Sequence, residues 1–362
     1  MLNYPLIDRY ILGKYLRAFL LWFAIIFVIV ITFDVSEKLD DFLKNEAPLG
    51  EIIFQYYLNF IPNFFNLYGP LFVFISTLFF TSKLAGNTEV IAILSSGISY
   101  KRFLRPYLHG AIILALGILV IGNFIIPVSN VRLNDFESRY IHTHKRSYYS
   151  DLHFQSSRGI HISTVSYDVN EMSAIIFQQD SYNDNGILTD RIRADKLTYD
   201  TASNSWKAID YRHRTFDGDR ETYVRENFQT LNLDLVPADF DKAARDISVM
   251  NSIELYQHIQ LETMRGSGAV TEAKLEFFQR LLNPLAFIIM TFIGVAISSR
   301  KTRGGIGVHL AIGIALAFGF IVFMRVCNVF SINGNFPPFL AVLIPQLVFG
   351  IAAIVLIRFA PK

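Results

Sequence analysis

The sequence predicts an α-helical membrane protein in which six transmembrane helices, arranged three plus three, flank an inserted all-β domain. Two observations predict this class. Six long apolar segments are split three and three, and the region between the two sets changes to a two-residue alternation. The apolar segments cover residues 18–36, 54–82, 106–128, 281–299, 306–325 and 337–357. Each approaches the ~20 apolar residues that a helix needs to cross a hydrocarbon core of ~30 Å.

The composition agrees with a membrane protein. Of the 362 residues, 52% are hydrophobic and only 18% are charged, whereas soluble domains contain ~25% charged residues. The formal net charge of +2 gives no electrostatic reason to expect nucleic-acid binding. The single cysteine, Cys327, lies inside an apolar segment, so we predict a small packing residue and no intrachain disulfide.

The first two segments need separate justification. No small-residue cleavage site follows the first segment, and acidic residues come after it instead, so we predict a retained helix rather than a signal peptide. Residues 52–82 contain no charge, but Pro62 and Pro70 interrupt them. Because proline removes a backbone donor and bends a helix, we predict one tilted, kinked helix, with a re-entrant element as the alternative.

The loops between the segments predict the orientation, because an excess of Lys and Arg marks cytoplasmic loops. Basic residues are concentrated before the first segment, between the second and third, between the fourth and fifth, and after the sixth. By contrast, the loop at 34–51 is mostly acidic, and the stretch 326–336 has no Lys or Arg. This alternation predicts six crossings with both termini in the cytoplasm and the middle region on the opposite side.

The middle region predicts an all-β sandwich or jelly roll. From about Ser150 the pattern changes to period two, and turn-forming residues separate the alternating stretches,. The predicted strands cover residues 159–165, 174–178, 191–199, 206–216 and 222–235. Ser252 is a candidate N-cap of the amphipathic helix that follows. We therefore predict an N-terminal membrane half at 1–130, a β-domain at 131–250, and a connector with the C-terminal membrane half at 251–362.

Sequence motifs for catalysis are missing. No G-x-x-x-x-G-K-[ST] phosphate-binding loop occurs, so an energy source would have to be another chain. Neither G-x-S-x-G nor H-E-x-x-H occurs,. His142, His144, His153 and His161 have no pattern of Cys or carboxylate residues around them, so we interpret them as surface histidines. We predict no catalytic site, no metal site and no cofactor.

Three short stretches add to this layout. They are Asp8-Arg9-Tyr10-Ile11 before the first helix, Thr88–Ser99 between the second and third, and Phe336-Pro337-Pro338 at the sixth. Together with three helices, an outer β-domain and three more helices, they resemble the LptF/LptG (YjgP/YjgQ) lipopolysaccharide export permeases. The resemblance covers nearly the whole chain. The first and third stretches are more similar to the G-type subunit than to the F-type.

The resemblance implies a transport function and several partners. Such subunits form a heterodimer of an F-type and a G-type permease on a cytoplasmic ABC ATPase dimer. They extract lipopolysaccharide from the bacterial inner membrane and pass it to a bitopic periplasmic jellyroll partner (LptC-like). The chain would then be a non-catalytic transmembrane subunit with its β-jellyroll in the periplasm, and the partner ATPase would hydrolyse ATP.

The resemblance also implies a site that couples the chain to the ATPase. This coupling helix, at about 87–97, would include Glu89, Val90, Ile93, Leu94 and Gly97. An early carboxylate favours the positive end of a helix dipole, and a glycine fits a helix end. A short interfacial helix that lies on the membrane is the alternative interpretation of the same residues.

Two further sets would contact the lipid. Lipid A carries phosphates, which Lys or Arg near the outer interface would bind; the candidates are Lys38, Lys44, Arg132, Arg139 and Arg325. Acyl chains would lie in an apolar groove of the jellyroll; the candidates are Ile160, Ile162, Ile175 and Phe177. Along the fifth helix, Gly307, Gly313 and Gly319 would allow a partner helix to approach closely.

The implied mechanism is a lateral gate between helix one of this chain and helix five of its partner, together with the mirror pair. Two other function classes stay open. One is a membrane sensor or mechanotransmitter with a ligand-binding outer β-domain. The other is a membrane enzyme that acts on lipid, which would need clustered polar residues inside the helices; few occur beyond Arg325, His109 and Asn328.

Overall fold

The computed structural model describes residues 5–141, 148–218, 220–237, 239–240, 246–265, 270–299, 305–334 and 336–360. The chain divides into two compact units. The helix unit comprises Met1–Leu133 and Thr271–Lys362, and the sheet unit comprises Asn134–Val270.

Six described helices are long and apolar enough to cross a membrane. In chain order, the helices are α1 (Leu6–Lys44), α2 (Leu49–Gly86), α3 (Glu89–Ser95), α4 (Tyr100–Tyr140), α5 (Ser252–Arg265), α6 (Val270–Ser298), α7 (Gly305–Asn333) and α8 (Pro338–Phe359). All except the short α3 and the polar α5 are candidate membrane spans. The predicted fold class, three spans on each side of an inserted β-domain, is confirmed.

The second span is one continuous helical segment. Pro62 and Pro70 lie inside α2 without ending it, and residues Ile52–Tyr57 form a π-helical turn near its start. A second π-helical turn, Ile121–Ile125, lies inside α4. Wider turns of this kind accommodate local interruptions of the regular hydrogen-bond ladder, so proline and the long apolar run are compatible with one helix.

The helix unit packs through small residues and a few buried hydroxyl groups. A Cβ atom added to Gly69 of α2 would lie 2.4 Å from the ring of Phe287 in α6. The hydroxyl groups of Tyr15 in α1 and Thr291 in α6 are 2.9 Å apart and form a buried hydrogen bond. Lipid tails are as apolar as leucine, so close approach and interhelical hydrogen bonds, rather than hydrophobicity alone, hold such helices together.

The sheet unit contains a six-stranded antiparallel sheet in which consecutive strands are neighbours. The strands are β1 (Tyr148–Ser157), β2 (Ile160–Asp168), β3 (Ser173–Tyr182), β4 (Leu188–Asp200), β5 (Ser205–Asp217) and β6 (Arg220–Leu231). The five predicted strands are all present, although the last ends at Leu231 rather than Leu235. One face is buried around Trp206, Phe177 and Leu197, and the Trp206 indole nitrogen donates a 2.8 Å hydrogen bond to the Leu235 carbonyl.

A line of irregular residues crosses the sheet. We call it the crease, and it consists of Val165, Ile176, Asp195 and Asp210, which the pairing registers of β2 to β5 skip. On either side of the crease, buried positions are three residues apart instead of two. The pairs of buried residues are Thr164 and Tyr167, Ala174 and Phe177, Ala194 and Leu197, and Ala208 and Tyr211. All four strands skip a residue at the same level, so neighbouring strands stay paired on both sides of the crease. The buried residues of both halves of each strand therefore face the same core.

The connector helix begins one residue earlier than predicted. The side-chain oxygen of Asn251 accepts hydrogen bonds from the backbone N–H groups of Ile253 (3.0 Å) and Glu254 (2.9 Å). In return, the Glu254 carboxylate accepts a 3.3 Å hydrogen bond from the Asn251 backbone N–H. This reciprocal arrangement is a capping box, so the prediction of Ser252 as the N-cap is wrong. The cap is Asn251, whose side chain accepts hydrogen bonds from two of the N–H groups that the first turn leaves without an intrahelical partner,.

Candidate functional site

The short helix α3 lies between two residues with left-handed backbone conformations. Thr88 precedes the helix with φ 63°, and Gly97 follows it with φ 90°. A glycine adopts such an angle without steric cost, and helices commonly end on one. The helix Glu89–Ser95 therefore falls inside the predicted segment 87–97, and its ends are sharply defined.

The predicted coupling residues divide between the inside and the outside of the helix unit. Val90 is 1% exposed and belongs to the core that α1, α2 and α4 share. Ile93 and Leu94 pack partly buried against the same core. By contrast, Ile91 is 53% exposed, and Gly97 is exposed at the helix end. A seven-residue helix offers too few turns for the sequence alone to show which apolar residue faces outward, and Ile91 was therefore missed.

Glu89 is held by residues of the first helix and of its own loop. The Tyr10 hydroxyl donates a 2.9 Å hydrogen bond to Glu89 Oε2, and the Asn87 amide donates one of 3.1 Å to Oε1. Lys14 in turn donates to the Tyr10 hydroxyl. Burial alone would raise the pKa of Glu89, but the hydrogen bonds from Asn87 and Tyr10 and the nearby cations, Lys14 first, lower it below its ordinary value. The carboxylate stays ionised at neutral pH.

A second polar contact fixes the start of α1 against α4. Asp8 is buried, and its carboxylate lies 2.8 Å from the guanidinium of Arg102. Two residues of the Asp8–Ile11 stretch thus make contacts across the fold. Tyr10 donates a hydrogen bond to Glu89 in the Thr88–Ser99 stretch, and Asp8 forms an ion pair with Arg102 in the helix that follows. The sequence separated these stretches by some eighty residues, so only the tertiary structure brings them together.

The predicted phosphate-binding cations fall into two groups. Lys38 lies 3.0 Å from Asp34, and Arg139 lies 2.6 Å from Asp135, each pair one turn apart on the same helix. Lys44, Arg132 and Arg325 are exposed and have no hydrogen-bond or ion-pair partner in the part of the chain that the structure describes. The second group therefore has its full charge available to a ligand, whereas acidic neighbours offset the first.

The predicted groove residues of the β-domain lie on both faces of the sheet. Ile162 and Phe177 are buried in the core of the sheet unit, and Ile160 is partly buried two residues before Ile162 on the same strand. Ile175 is 38% exposed, next to the crease. A pocket of about 270 Å³ lies at the crease itself. It is lined by apolar Val165 and Ile176 and by charged residues, including Arg193, Asp195 and Arg212.

The glycines of α7 have different surroundings. A Cβ atom added to Gly313 would lie 2.4 Å from Leu78 and 2.5 Å from Phe74, both on α2 of the same chain. The same atom on Gly307 or Gly319 would meet nothing within 4 Å. Gly313 thus serves packing within this chain, and Gly307 and Gly319 are the two that leave room for another helix.

Metal binding and thiol chemistry find no support in the described ranges. No group of three or more His, Cys, Asp or Glu residues there could hold a metal ion. His142 and His144 lie outside the described residues, whereas His161 packs edge-on against Tyr182 at 5.3 Å. Cys327 is buried among apolar side chains of α6, α7 and α8.

The spans differ in how much of their apolar surface this chain covers. Within the most apolar window of each helix, 67% of α2 and 56% of α6 is buried, against 6% of α1 and 17% of α7. Hydropathy does not explain the contrast, because α6 and α7 have the same mean value of 2.1. The uncovered faces of α1 and α7 can meet lipid or the helices of another chain.

Comparison with known proteins adds one finding. The family model described as "Lipopolysaccharide export system permease LptF/LptG" matches residues 9–358. A search of curated proteins found no match to the chain.

Proposed function

The chain belongs to the LptF/LptG family of lipopolysaccharide export permeases, and on this premise we propose that it is the G-type permease subunit of an ABC-type lipopolysaccharide exporter. The family match over residues 9–358 carries this proposal. Six helices that can cross a membrane and an inserted six-stranded sheet support it. The chain has the multi-pass architecture that a lipid exporter needs, and ATP would be hydrolysed by a separate ABC ATPase dimer.

In this proposal, α3 is the element through which the ATPase acts on the membrane helices. Val90, Ile93 and Leu94 anchor α3 in the core, so a force on the helix would reach α1, α2 and α4 rather than dissipate in a loop. Glu89 links α3 to α1 through Tyr10. Gly97 sets the end of the helix, and exposed Ile91 would enter an apolar groove of the ATPase.

The weakly covered helices α1 and α7 would form the lipid path and the contact with the F-type partner. The first span, α1, would face the fifth span of the partner, and the fifth span, α7, would face the partner's first span. Two lateral gates would thus form in the heterodimer. Their exposed apolar faces support this assignment, and Gly319 would allow close approach of a partner helix. A bitopic jellyroll protein of the LptC-like kind would receive the lipid from the β-domain.

The exposed cations Lys44, Arg132 and Arg325 would bind the phosphates of lipid A. Arg325 is the strongest candidate, because an arginine on an apolar helix face is costly in a membrane unless it meets an anion or a cavity. Lys38 and Arg139 would contribute less, since Asp34 and Asp135 already offset their charge.

The acyl-chain groove of the β-domain would lie on the face that exposes Ile175, whereas Ile160, Ile162 and Phe177 lie on the buried face and would contact acyl chains where that core opens. Its place would be the periplasm, with both termini in the cytoplasm and the helices in the bacterial inner membrane. The excess of Lys and Arg in alternate loops supports this orientation. Exposed Ile175 offers the cleaner test of this groove, because a charged residue at buried Phe177 would disrupt folding.

The experiment that tests this proposal uses the exposed face of α3. We expect Ile91→Asp to reduce co-purification with the ABC ATPase at least about tenfold, because an unpaired carboxylate would enter an apolar groove. Ile187→Asp, at a similarly exposed position of the sheet unit, is the matched control and should leave the ATPase bound. Full retention of the ATPase by Ile91→Asp in a folded protein would reject the role of α3.

A further inference from the structure

An open groove of about 900 Å³ lies between the start of α1 and the helix α3. We call it the α1 groove. Its cationic residues are Arg9, Lys14 and Arg17, and its apolar walls include Leu6, Ile7 and Ile93. None of the roles assigned above to α3 or to the lipid-binding cations uses this combination of three cations with an apolar wall.

The cations of the α1 groove are available to a ligand. Arg9 and Arg17 are exposed and have no ion-pair partner among the described residues. Lys14 is exposed and donates to the Tyr10 hydroxyl, which leaves two of its three hydrogen-bond donors for other groups. Glu89 is the acidic residue of the lining, and Tyr10 and Asn87 already donate hydrogen bonds to its carboxylate.

The depth of the groove fits a membrane surface. The apolar run of α1 begins at Ala18, directly after Arg17. With a rise of about 1.5 Å per residue, Lys14 lies about 6 Å and Arg9 about 13 Å from that boundary. Arg17 and Lys14 therefore lie within the polar headgroup layer, which adds roughly 5–8 Å on each side of the hydrocarbon. Arg9 lies beyond this layer on the water side, so its long side chain extends back toward the headgroup. Beyond the boundary, Leu20 and Leu21 are exposed on α1 and continue the apolar surface.

We propose that the α1 groove binds the phosphodiester headgroup of an anionic glycerophospholipid, with phosphatidylglycerol as the simplest example. Arg9, Lys14 and Arg17 contact the phosphate, and the acyl chains lie along the exposed apolar face of α1. A soluble phosphate would use the cations but not the apolar walls. Basic pockets beside transmembrane helices recognise anionic headgroups in this way, with about fivefold in affinity for each cation near the surface. The proposal requires that α1 begins at a membrane surface and is independent of lipopolysaccharide export.

Lys14 lines both the α1 groove and a smaller neighbouring pocket, so a lipid bound at Lys14 would quench a tryptophan next to that pocket. Trp22 lies one helical turn above Ala18, which lines a smaller pocket together with Lys14 and Glu89. The Trp22 ring packs edge-on against Phe79 of α2 at 5.1 Å, and Phe79 also lines that pocket. Brominated lipids quench tryptophan on contact, so Trp22 reports which headgroup class occupies this position. Trp206 stays in every variant, so its contribution cancels in the comparison.

The test reconstitutes the full chain in phosphatidylcholine vesicles that contain a minor fraction of brominated phosphatidylglycerol or brominated phosphatidylcholine. We expect phosphatidylglycerol to be preferred at least about fivefold. The double variant Arg9→Gln/Arg17→Gln, which keeps Lys14, should lower this ratio at least about fivefold. The matched control, Lys101→Gln/Arg105→Gln, removes two exposed cations from the start of α4 that do not line the groove, and should keep the preference.

Four results would overturn the proposal. Equal quenching by both lipids in the wild-type chain would show that no headgroup is selected. An equal loss in the control variant would assign the effect to general surface charge. Loss of the preference on adding inorganic phosphate, but not sodium chloride of equal ionic strength, would indicate a soluble-anion site. Loss of the preference when the ABC ATPase is bound would identify the groove as a protein interface.

Discussion

The helix unit and the sheet unit are stabilised by different kinds of contact. In the helix unit, large rings lie against glycines, as Phe287 does against Gly69, and isolated hydroxyl groups pair, as in Tyr15 and Thr291. In the sheet unit, continuous backbone ladders join all six strands, and ion pairs such as Arg191 with the buried Asp180 at 2.7 Å link neighbouring strands.

The difference follows from the two solvents. In water, burial of apolar side chains drives assembly, so a two-residue alternation is sufficient to define the inner face of a strand. In lipid, an apolar helix face is as stable against lipid tails as against another helix. Helices therefore associate where their shapes fit and small residues permit close approach. The effect of a substitution on stability should therefore depend on side-chain shape in the helix unit, and on backbone conformation or charge in the sheet unit.

The largest effect is expected at the contact of α2 with α6. Gly69→Leu would drive a side chain into the buried ring of Phe287, and overpacking of this kind costs roughly 1–3 kcal/mol or more. Gly117→Leu is the matched control, because nothing lies within 4 Å of a Cβ atom there. Denaturant unfolding in mild detergent measures both. Equal stability of the two variants would mean that close packing does not hold these helices together.

A second pair of substitutions compares two glycines of α7. Gly313→Leu would collide with Leu78 and Phe74 and should lower the free energy of unfolding by roughly 1–3 kcal/mol. A Cβ atom at Gly319 would meet nothing within 4 Å, so Gly319→Leu should leave the stability of the isolated chain unchanged. If α7 packs against the F-type partner at Gly319, the same variant weakens the heterodimer. Pull-down of the partner measures this, and destabilisation of the isolated chain by Gly319→Leu would contradict the assignment.

The crease allows a test in which a side chain is removed to relieve strain. Ile176 has φ 54°, a conformation that costs a non-glycine residue roughly 1–2 kcal/mol, and its side chain is 58% exposed. Ile176→Gly should leave the stability unchanged or raise it by up to about 1 kcal/mol, because relief of strain offsets the greater entropy of the unfolded chain. Ile175→Gly, its neighbour, should lower it by about 1 kcal/mol. Thermal unfolding followed by circular dichroism distinguishes the two, and equal losses would show that Ile176 is not strained.

The smallest effect concerns a charge at the crease. Hydrogen bonds from Arg225 and Arg212 lower the pKa of Asp210 from 3.8 to about 2. Because the folded pKa is the lower one, this contribution to stability is present above about pH 4 and is lost as the pH falls towards 2. Asp210→Asn keeps a residue that tolerates φ 52° but removes the charge. Acid unfolding of the variant should be less steep over this range, and an unchanged acid transition would contradict the assigned pKa.

The sequence predicted the elements of both units better than it predicted their contacts. Hydropathy located all six spans, but α1 extends to Lys44 because charged residues such as Asp34 and Lys38 pair one turn apart and continue the helix. Alternation located the strands, and the adjacent apolar pair Ile175-Ile176 was the local sign of the crease. The extent of the crease could not be predicted from one strand, because a skipped residue forms a crease only where the neighbouring strands also skip a residue at the same level.

The candidate site shows the same limit. A glutamate followed eight residues later by glycine identified α3, since both helix ends have local signals. The partner of Glu89, Tyr10, lies 79 positions away in the chain. No period or spacing connects two such positions, so the sequence alone could not have paired them.

The most direct test of the proposed function follows newly made lipopolysaccharide after the chain is depleted from a growing cell. The proposal predicts that pulse-labelled lipopolysaccharide remains in the inner membrane, that the wild-type chain restores its appearance in the outer membrane, and that Ile91→Asp does not. Arrival of labelled lipopolysaccharide in the outer membrane at the normal rate without the chain would contradict the proposal.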